Sequence, residues 1–167
     1  MTNPSSSQSL RSPAELREIA AARGIAATLH HASQPMPTVE AAAAAIGVPV
    51  EAMTKNIVCI VGEAAILVIA AGRARIDDRA LARHFGVSRG KTGLARPEQA
   101  YAITGFVVGC MPSFGHRVAL PTLVDPAVLR LERVYGGTGD PAVLISLATA
   151  DLLALTGGQA AEVVRQG

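Results

Sequence analysis

Two strongly apolar runs lie next to each other in the first half of the chain. Residues 57–61 (IVCIV) and 64–71 (AAILVIAA) flank the dipeptide Gly62-Glu63. A two-residue connection that begins with glycine, set between two apolar runs, is typical of a tight β-hairpin. The second run is apolar at every position, which predicts a central strand covered on both faces. The polar pair Lys55-Asn56 stands at the entrance to this hairpin.

Helix start and stop signals surround the hairpin. Ser12-Pro13 followed by Glu15 is a capping box with proline in the first turn, and it predicts a helix that stops at Gly24. Thr38 is the expected cap of a second helix over residues 39–46, which Gly47 ends. Further helices are predicted over residues 77–85, 96–103 and 149–155.

Shorter apolar runs predict the remaining strands, over residues 26–31, 123–125, 133–135 and 142–147, with a strand-like centre in residues 104–116. Helices and strands alternate irregularly, with hairpins among them. We therefore predict an α+β fold with a mixed sheet, not a doubly wound parallel one. A length of 167 residues favours one domain, assigned to residues 13–167, behind a disordered tail over residues 1–12.

The amino-acid composition restricts the kind of core and the cellular location that the protein can have. Half of the residues are hydrophobic but only 3% are aromatic, so the core must be aliphatic. No apolar run approaches the roughly 20 residues that cross a bilayer, and the first residues lack the apolar segment of a secretory signal. Two cysteines, Cys59 and Cys110, do not make a disulfide framework and fit a reducing cytosol. We expect a cytoplasmic protein with no membrane partner.

Positive charge is concentrated in residues 73–96. This stretch holds seven basic and two acidic residues, whereas the whole chain carries a net charge of only +2. A localised basic patch is the footprint expected for a polyanionic partner, although a solvated helix face explains it equally well. The candidate nucleic-acid contacts are Arg73, Arg75, Arg79 and Arg83.

Lys55 stands out because 13 of the 15 basic residues are arginines. A lysine offers a compact ammonium with three movable donors, where arginine offers a planar fork. Lys55 is therefore a candidate for binding a charged group of a ligand. The simpler alternative is a strand-end lysine whose stem covers the core while its head stays in water.

The segment 105–116 (GFVVGCMPSFGH) is the most informative loop. Three glycines, a proline and a serine let the backbone approach a ligand closely, so that successive N–H groups can hold a carboxylate, a phosphate or an oxyanion. An ordinary connection between two strands remains the alternative.

Other reactive arrangements have weaker support. Cys110 with His116 could form a thiol nucleophile and its base, but no third orienting residue is evident. His30 and His31 are adjacent on a predicted strand and would point to opposite faces, so no metal site is predicted. The glycine-rich residues 136–141 lack the spacing of a phosphate-binding loop.

Taken in order, these motifs resemble the YbaK and prolyl-tRNA synthetase editing-domain family of aminoacyl-tRNA deacylases. The resemblance runs from about Ile25 to Val164 and rests on Thr38, Lys55-Asn56, TGFVVGCMPSFGH (104–116), LPTLVD (120–125), VYGGTGDPAVL (134–144) and LLALTGG (152–158). It implies a barrel-like, mostly antiparallel sheet surrounded by helices. It also implies hydrolysis of the ester that joins a wrongly attached amino acid to the 3′-terminal adenosine of a tRNA.

The resemblance also implies roles for individual residues. Lys55 matches the lysine that fixes the substrate end of the tRNA, and Gly109 matches the first residue of a Gly-x-x-x-Pro loop that cradles the aminoacyl group. This chain departs from that loop, with proline one place early at Pro112 and serine at Ser113. The implied catalytic residues are Lys55, Gly109, Cys110, Met111, Pro112 and Ser113. The implied substrate-binding residues are His31, Thr38, Asn56, Phe114, Gly136, Gly137 and Thr138.

The predicted function is therefore trans-editing of a small amino acid, on tRNA-Pro or a related tRNA, without a cofactor. An aminoacyl ester is already activated, so the enzyme needs a positioned water, oxyanion donors and a cation rather than a triad or a metal. The expected partner is the aminoacylated 3′ end, and association with a synthetase is left open. The alternative is a non-catalytic protein that binds tRNA or another nucleic acid in the same pocket.

Overall fold

A computed structural model of the chain describes residues 9–167. The helices are α1 (Pro13–Ala21), α2 (Val39–Ile46), α3 (Asp78–Phe85), α4 (Pro97–Thr104), α5 (Pro126–Leu129) and α6 (Thr149–Thr156). The strands are β1 (Thr28–His31), β2 (Thr54–Val61), β3 (Ala64–Ala71), β4 (Arg75–Ile76), β5 (Thr92–Leu94), β6 (Thr122–Val124), β7 (Arg133–Gly137), β8 (Val143–Ala148), β9 (Gln159–Ala160) and β10 (Val164–Arg165).

The strands form three sheets, and the predicted hairpin is at the centre of the largest. That sheet has the order β5-β2-β3-β6-β9, with antiparallel β5-β2-β3 pairing and parallel β3-β6-β9 pairing. Strands β1-β8-β7 form an antiparallel sheet, and β4 pairs antiparallel with β10. A bridge between Met53 and Tyr135 joins the two larger sheets. The mixed α+β prediction is confirmed, and the strands do not close into one barrel.

Alternation along β2 explains how the layers pack. Val58 faces the main core, where the large sheet meets Val134 and Ile145 of the small sheet together with α1 and α6. Cys59, the next residue, faces the opposite side and packs near Leu81 of α3. Successive strand residues point to opposite faces, so one hairpin contributes to two hydrophobic clusters.

The predicted strand-like centre of residues 104–116 is wrong. Helix α4 continues through Thr104, and the chain then runs as an irregular loop to residue 121. Gly105 has a φ of +83°, which a glycine tolerates, and the Phe106 N–H donates to the Thr104 hydroxyl at 3.1 Å. The backbone thus turns sharply before an extended strand can begin.

The expected tail divides into two parts. Residues 1–8 lie outside the described residues, whereas residues 9–12 are bound to the body of the protein. The Leu10 N–H donates to the Gly105 carbonyl at 2.8 Å, and Arg11 Nε donates to the Gly115 carbonyl at 2.9 Å. These four residues therefore differ from the disordered segment that the sequence predicted.

Within residues 9–167, no helix has both the length and the apolar character that crossing a bilayer requires.

Candidate active site

The site forms where one edge of β2 is left without a strand partner. Strand β5 pairs only with residues 59–61 of β2, so the part of β2 that carries Lys55 and Asn56 has β3 on one side only. The loop of residues 105–116, called loop 105–116 below, approaches this free edge. Asn56 Nδ2 donates to the Met111 carbonyl at 2.9 Å, which ties the loop to the strand.

A cavity of about 310 Å³, the first cavity, opens between β2, loop 105–116 and the N-terminal part of α2. Its wall includes seven residues predicted to be functional, which are Thr38, Lys55, Asn56, Gly109, Cys110, Met111 and Gly137. Met53, Val143 and Leu144 add apolar surface. Residues distant in sequence thus meet in one pocket with a cation on its wall.

The side chain of Asn56 holds loop 105–116 at two points. While its amide nitrogen donates to the Met111 carbonyl, its Oδ1 accepts a hydrogen bond from the Ser113 hydroxyl at 2.7 Å. Ser113 is buried, so this hydroxyl has little access to water. The serine that departs from the family pattern is therefore hydrogen-bonded to the residue beside Lys55.

Three consecutive residues of loop 105–116 on the cavity wall have unused backbone donors. Within the described residues, the backbone N–H groups of Gly109, Cys110 and Met111 make no hydrogen bond. Gly109 has a φ of +110°, a conformation that side chains disfavour. Adjacent free amides on a cavity wall can bind an anion or a developing oxyanion.

Glycine at position 137 allows the loop to lie against β7. A Cβ atom there would overlap the Cys110 carbonyl oxygen, so the backbones are in direct contact. The same carbonyl accepts a hydrogen bond from the Gly139 N–H at 2.6 Å. With the Cys110 carbonyl held by β7 and its exit, this part of the loop is fixed in place on the wall of the first cavity.

Charges of both signs line the first cavity. Burial lowers the pKa of the Lys55 ammonium below its ordinary value of 10.5, and the neighbouring Arg75 lowers it further, while Glu40 acts in the opposite direction. Asp140 is the one acidic residue on the cavity wall among the described residues. The cavity therefore suits a ligand with an anionic and a cationic group.

The structure does not bring Cys110 and His116 together as a nucleophile and its base. The Cys110 thiol is 3.4 Å from the Gly139 carbonyl, and burial, followed by Asp140, raises its pKa. His116 Nε2 lies 2.7 Å from the Pro112 carbonyl, and burial lowers the pKa of the imidazole. The thiol is thus shifted away from the nucleophilic thiolate.

Two predicted catalytic residues and several predicted substrate-binding residues lie outside the first cavity. Pro112, Ser113 and Phe114 belong to the buried part of loop 105–116, and the Thr138 hydroxyl donates to the Val143 carbonyl at 2.7 Å. Gly136 packs against Thr54, and His31 is exposed at the end of β1. These residues support or flank the pocket instead of lining it.

The predicted basic contacts separate into three groups. Arg73 pairs with Glu40 at 2.7 Å, and Arg79 and Arg83 are exposed on α3. Arg75 lines a second cavity of about 500 Å³, which lies beside the first one. Arg165 lines this second cavity too, and sequence analysis missed it. The only local signal was an arginine that follows Val163-Val164 near the end of the chain.

Among residues 9–167, no three His, Cys, Asp or Glu side chains gather as a metal site would require.

Comparison with known families gives a match to the aminoacyl-tRNA editing domain over residues 33–155. This range contains α2, β2, loop 105–116, β7 and β8, and therefore every helix and strand that lines the first cavity.

Solved structures share the fold over nearly the whole chain. A candidate trans-editing enzyme for prolyl-tRNA synthetase is 29% identical, with a TM-score of 0.83 over 94% of this chain and 99% of that one. The hypothetical protein APE2540 is 26% identical, with a TM-score of 0.82 over 90% and 99%. A scaffold used for computational epitope grafting is 28% identical, with a TM-score of 0.81 over 94% and 100%.

Proposed function

Because the chain belongs to the aminoacyl-tRNA editing domain family, we propose that it hydrolyses the ester bond of a mischarged aminoacyl-tRNA. The observation that carries the proposal is the first cavity, where three unused backbone N–H groups share a wall with Lys55. Such a site offers oxyanion donors and a cation, and these are two of the needs of ester hydrolysis on an RNA end, beside a positioned water.

The reaction requires little covalent help from the protein. A water oxygen attacks the ester carbonyl, and the negative charge that develops on the carbonyl oxygen is stabilised by the N–H groups of residues 109–111. The bond to the ribose oxygen then breaks, and that oxygen takes a proton as the free amino acid leaves. A neighbouring ribose hydroxyl is well placed to pass this proton.

The walls of the first cavity favour a small amino acid side chain. Met53, Val143 and Leu144 are all at least nine-tenths buried, so this part of the wall is held by packing, and the whole cavity measures about 310 Å³. One methylene is worth only about 1–3 kcal/mol of discrimination in an apolar pocket. We place alanine, serine, threonine and cysteine among the candidates, with tRNA-Pro as the first acceptor to test.

Asp140 supplies a role that the sequence did not suggest. An aminoacyl ester has a free α-ammonium group, and Asp140 is the carboxylate on the cavity wall. Its Oδ1 accepts a hydrogen bond from the Ala142 N–H at 2.9 Å, which orients the carboxylate. Asp140 therefore binds the α-ammonium group in this proposal, while Lys55 binds the RNA.

The wider partner is the acceptor end of the tRNA. Arg79 and Arg83 lie four residues apart on α3 and so share an exposed face, which suits phosphate contacts. The reaction belongs in the cytosol, where aminoacyl-tRNA is used. A synthetase that supplies the mischarged tRNA is a further partner.

The test compares Lys55→Ala with Lys91→Ala, since these are the two lysines of the chain. Deacylation of alanyl-tRNA-Pro should fall by about 100-fold in Lys55→Ala, a loss comparable to that of one transition-state contact. Lys91, exposed and outside both cavities, should be dispensable. Equal rates in both variants would refute the role of Lys55. Retained tRNA binding without hydrolysis in the wild type would favour the binding-protein alternative.

A further inference from the structure

The second cavity lies directly beside the first. Both are lined by the β2 segment Lys55-Asn56-Ile57 and by Val108 and Met111 of loop 105–116. These five residues therefore form a wall shared by the two cavities, and the side chain of Lys55 belongs to that wall. A ligand that leaves the first cavity across Lys55 would enter the second.

The two arginines that line the second cavity form no ion pair among the described residues. Arg75 and Arg165 are directly opposite each other in the β4-β10 pair, a like-charge arrangement that destabilises strand pairing. Within residues 9–167 the one ion pair is Arg73 with Glu40, so neither arginine has a carboxylate within 4.0 Å. Asp77 interacts with Arg165 only at longer range. An anion bound between the arginines would relieve this repulsion.

Apart from its two arginines, the second cavity does not resemble a simple anion-binding site. Its walls include aliphatic side chains, and Leu94 and Val108 at the rim are 63% and 48% exposed. Its volume of about 500 Å³ falls within the range of roughly 300–1,000 Å³ typical of small-molecule pockets. Asp78 adds one acceptor for amino or hydroxyl donors. A ligand that complements these walls carries an anionic group, a flat apolar face and hydrogen-bond donors. A nucleotide has all three.

We propose that the second cavity binds the nucleotide that precedes the esterified adenosine, with its phosphate between Arg75 and Arg165. The first cavity then holds the aminoacylated nucleoside, and the phosphodiester that links the two nucleotides lies at Lys55. This inference rests on the proposed function for the identity of the RNA. It adds Arg165, which lies beyond the residues matched by the family, as a binding residue.

The test measures binding of unesterified probes, so that it does not depend on catalysis. The dinucleotide pCpA, whose 5′-phosphate is the one placed between Arg75 and Arg165, should bind more tightly than 5′-AMP. Arg165→Gln should remove most of that gain while leaving AMP binding unchanged. Loss of a charge-assisted contact corresponds to about a tenfold weaker pCpA affinity. The salt dependence of log Kd should also lose about 0.7 in slope, as expected for one phosphate contact to a single strand.

Two controls make the result specific. Arg130→Gln removes another exposed arginine, one that lines neither cavity, and it should leave both affinities unchanged. Ala95→Leu adds bulk to the wall of the second cavity without changing its charge, and it should also reduce the pCpA gain. Equal affinities for pCpA and AMP, or an equal effect of Arg165→Gln on both probes, would overturn the inference.

Failure of this inference can be separated from failure of the proposed function. If the wild type deacylates tRNA and Arg165→Gln changes neither KM nor pCpA affinity, the nucleotide site is refuted and the deacylase stands. If the wild type does not deacylate but pCpA binding still depends on Arg165, the nucleotide site is supported and the deacylase proposal fails.

Discussion

At the scale of single residues, the environment of Lys55 differs clearly from that of an ordinary surface lysine. It is partly buried at the junction of two cavities, and its ammonium group is close enough to Arg75 to be affected by the charge. The simple alternative, a strand-end lysine with its head in water, does not account for this convergence of cations. The lowered pKa is a direct consequence and can be measured.

The titration of Lys55 should respond to its charged neighbours. Because burial and Arg75 lower its pKa, Arg75→Gln should raise the pKa, and Glu40→Gln should lower it by removing a stabilising charge. Activity that needs the ammonium form is present at low pH and declines as pH rises through this pKa. Selective ¹³C-lysine labelling gives two signals, and Lys91→Arg leaves only Lys55 to follow by NMR. If Arg75→Gln leaves the pKa of Lys55 unchanged, the proposed interaction between these two cations is contradicted.

A second prediction concerns the proposed contact between Asp140 and the α-ammonium group of the substrate. Asp140→Asn keeps an oxygen acceptor for the Ala142 N–H but removes the charge, so the fold should be preserved. Loss of a charge-assisted contact of about 1.5–3 kcal/mol should lower kcat/KM for alanyl-tRNA by roughly 10- to 100-fold. N-acetyl-alanyl-tRNA, which has no ammonium group, should be hydrolysed equally by both proteins. A similar loss on both substrates would assign Asp140 a structural role instead.

At the scale of elements, loop 105–116 depends on β2 for its position. Asn56 holds the loop through Met111 and Ser113, and the Gly139 N–H holds the Cys110 carbonyl from the opposite side. From the N-terminal side, Leu10 and Arg11 bind the carbonyls of Gly105 and Gly115 at the two ends of the loop. Loop 105–116 is therefore an irregular element with fixed anchor points.

A double-mutant cycle on Asn56 and Ser113 tests this anchoring. Asn56→Ala should lower the free energy of unfolding by about 1–3 kcal/mol, because it leaves the Ser113 hydroxyl and the Met111 carbonyl without a partner. Ser113→Ala should cost less, since only one hydrogen bond is lost. The cost of Ser113→Ala should shrink further when Asn56 is already alanine. Chemical denaturation measures all four proteins, and strictly additive costs would show that the two side chains act independently.

The sequence predicted the local elements well because their signals are local. Ser12 and Thr38 cap α1 and α2 as expected, and Gly62-Glu63 connects β2 to β3. The apolar residues of 106–108 suggested a strand, but glycines and Pro112 keep the segment irregular. Which strands pair across the sheet was not predicted, because parallel β3-β6 pairing joins residues more than fifty positions apart.

At the scale of the whole molecule, two sheets and a long loop meet around the first cavity. Ordered motifs could identify the residues that line it, such as Lys55 and Gly109, because they stand in a family pattern. Arg165 could not be found in this way, since its place beside Arg75 arises only when the end of the chain pairs with β4. Asp140 was quoted within a motif, but its role required the geometry of the cavity.

The most direct test of the central claim is single-turnover deacylation of a panel of tRNAs. The panel contains alanyl-, seryl-, threonyl- and cysteinyl-tRNA, each on tRNA-Pro and on the cognate acceptor, with Cys110→Ser as a variant that should keep its activity. The account predicts that one or two small aminoacyl groups are released well above the uncatalysed rate. Release of none of them by a folded, tRNA-binding protein would contradict it.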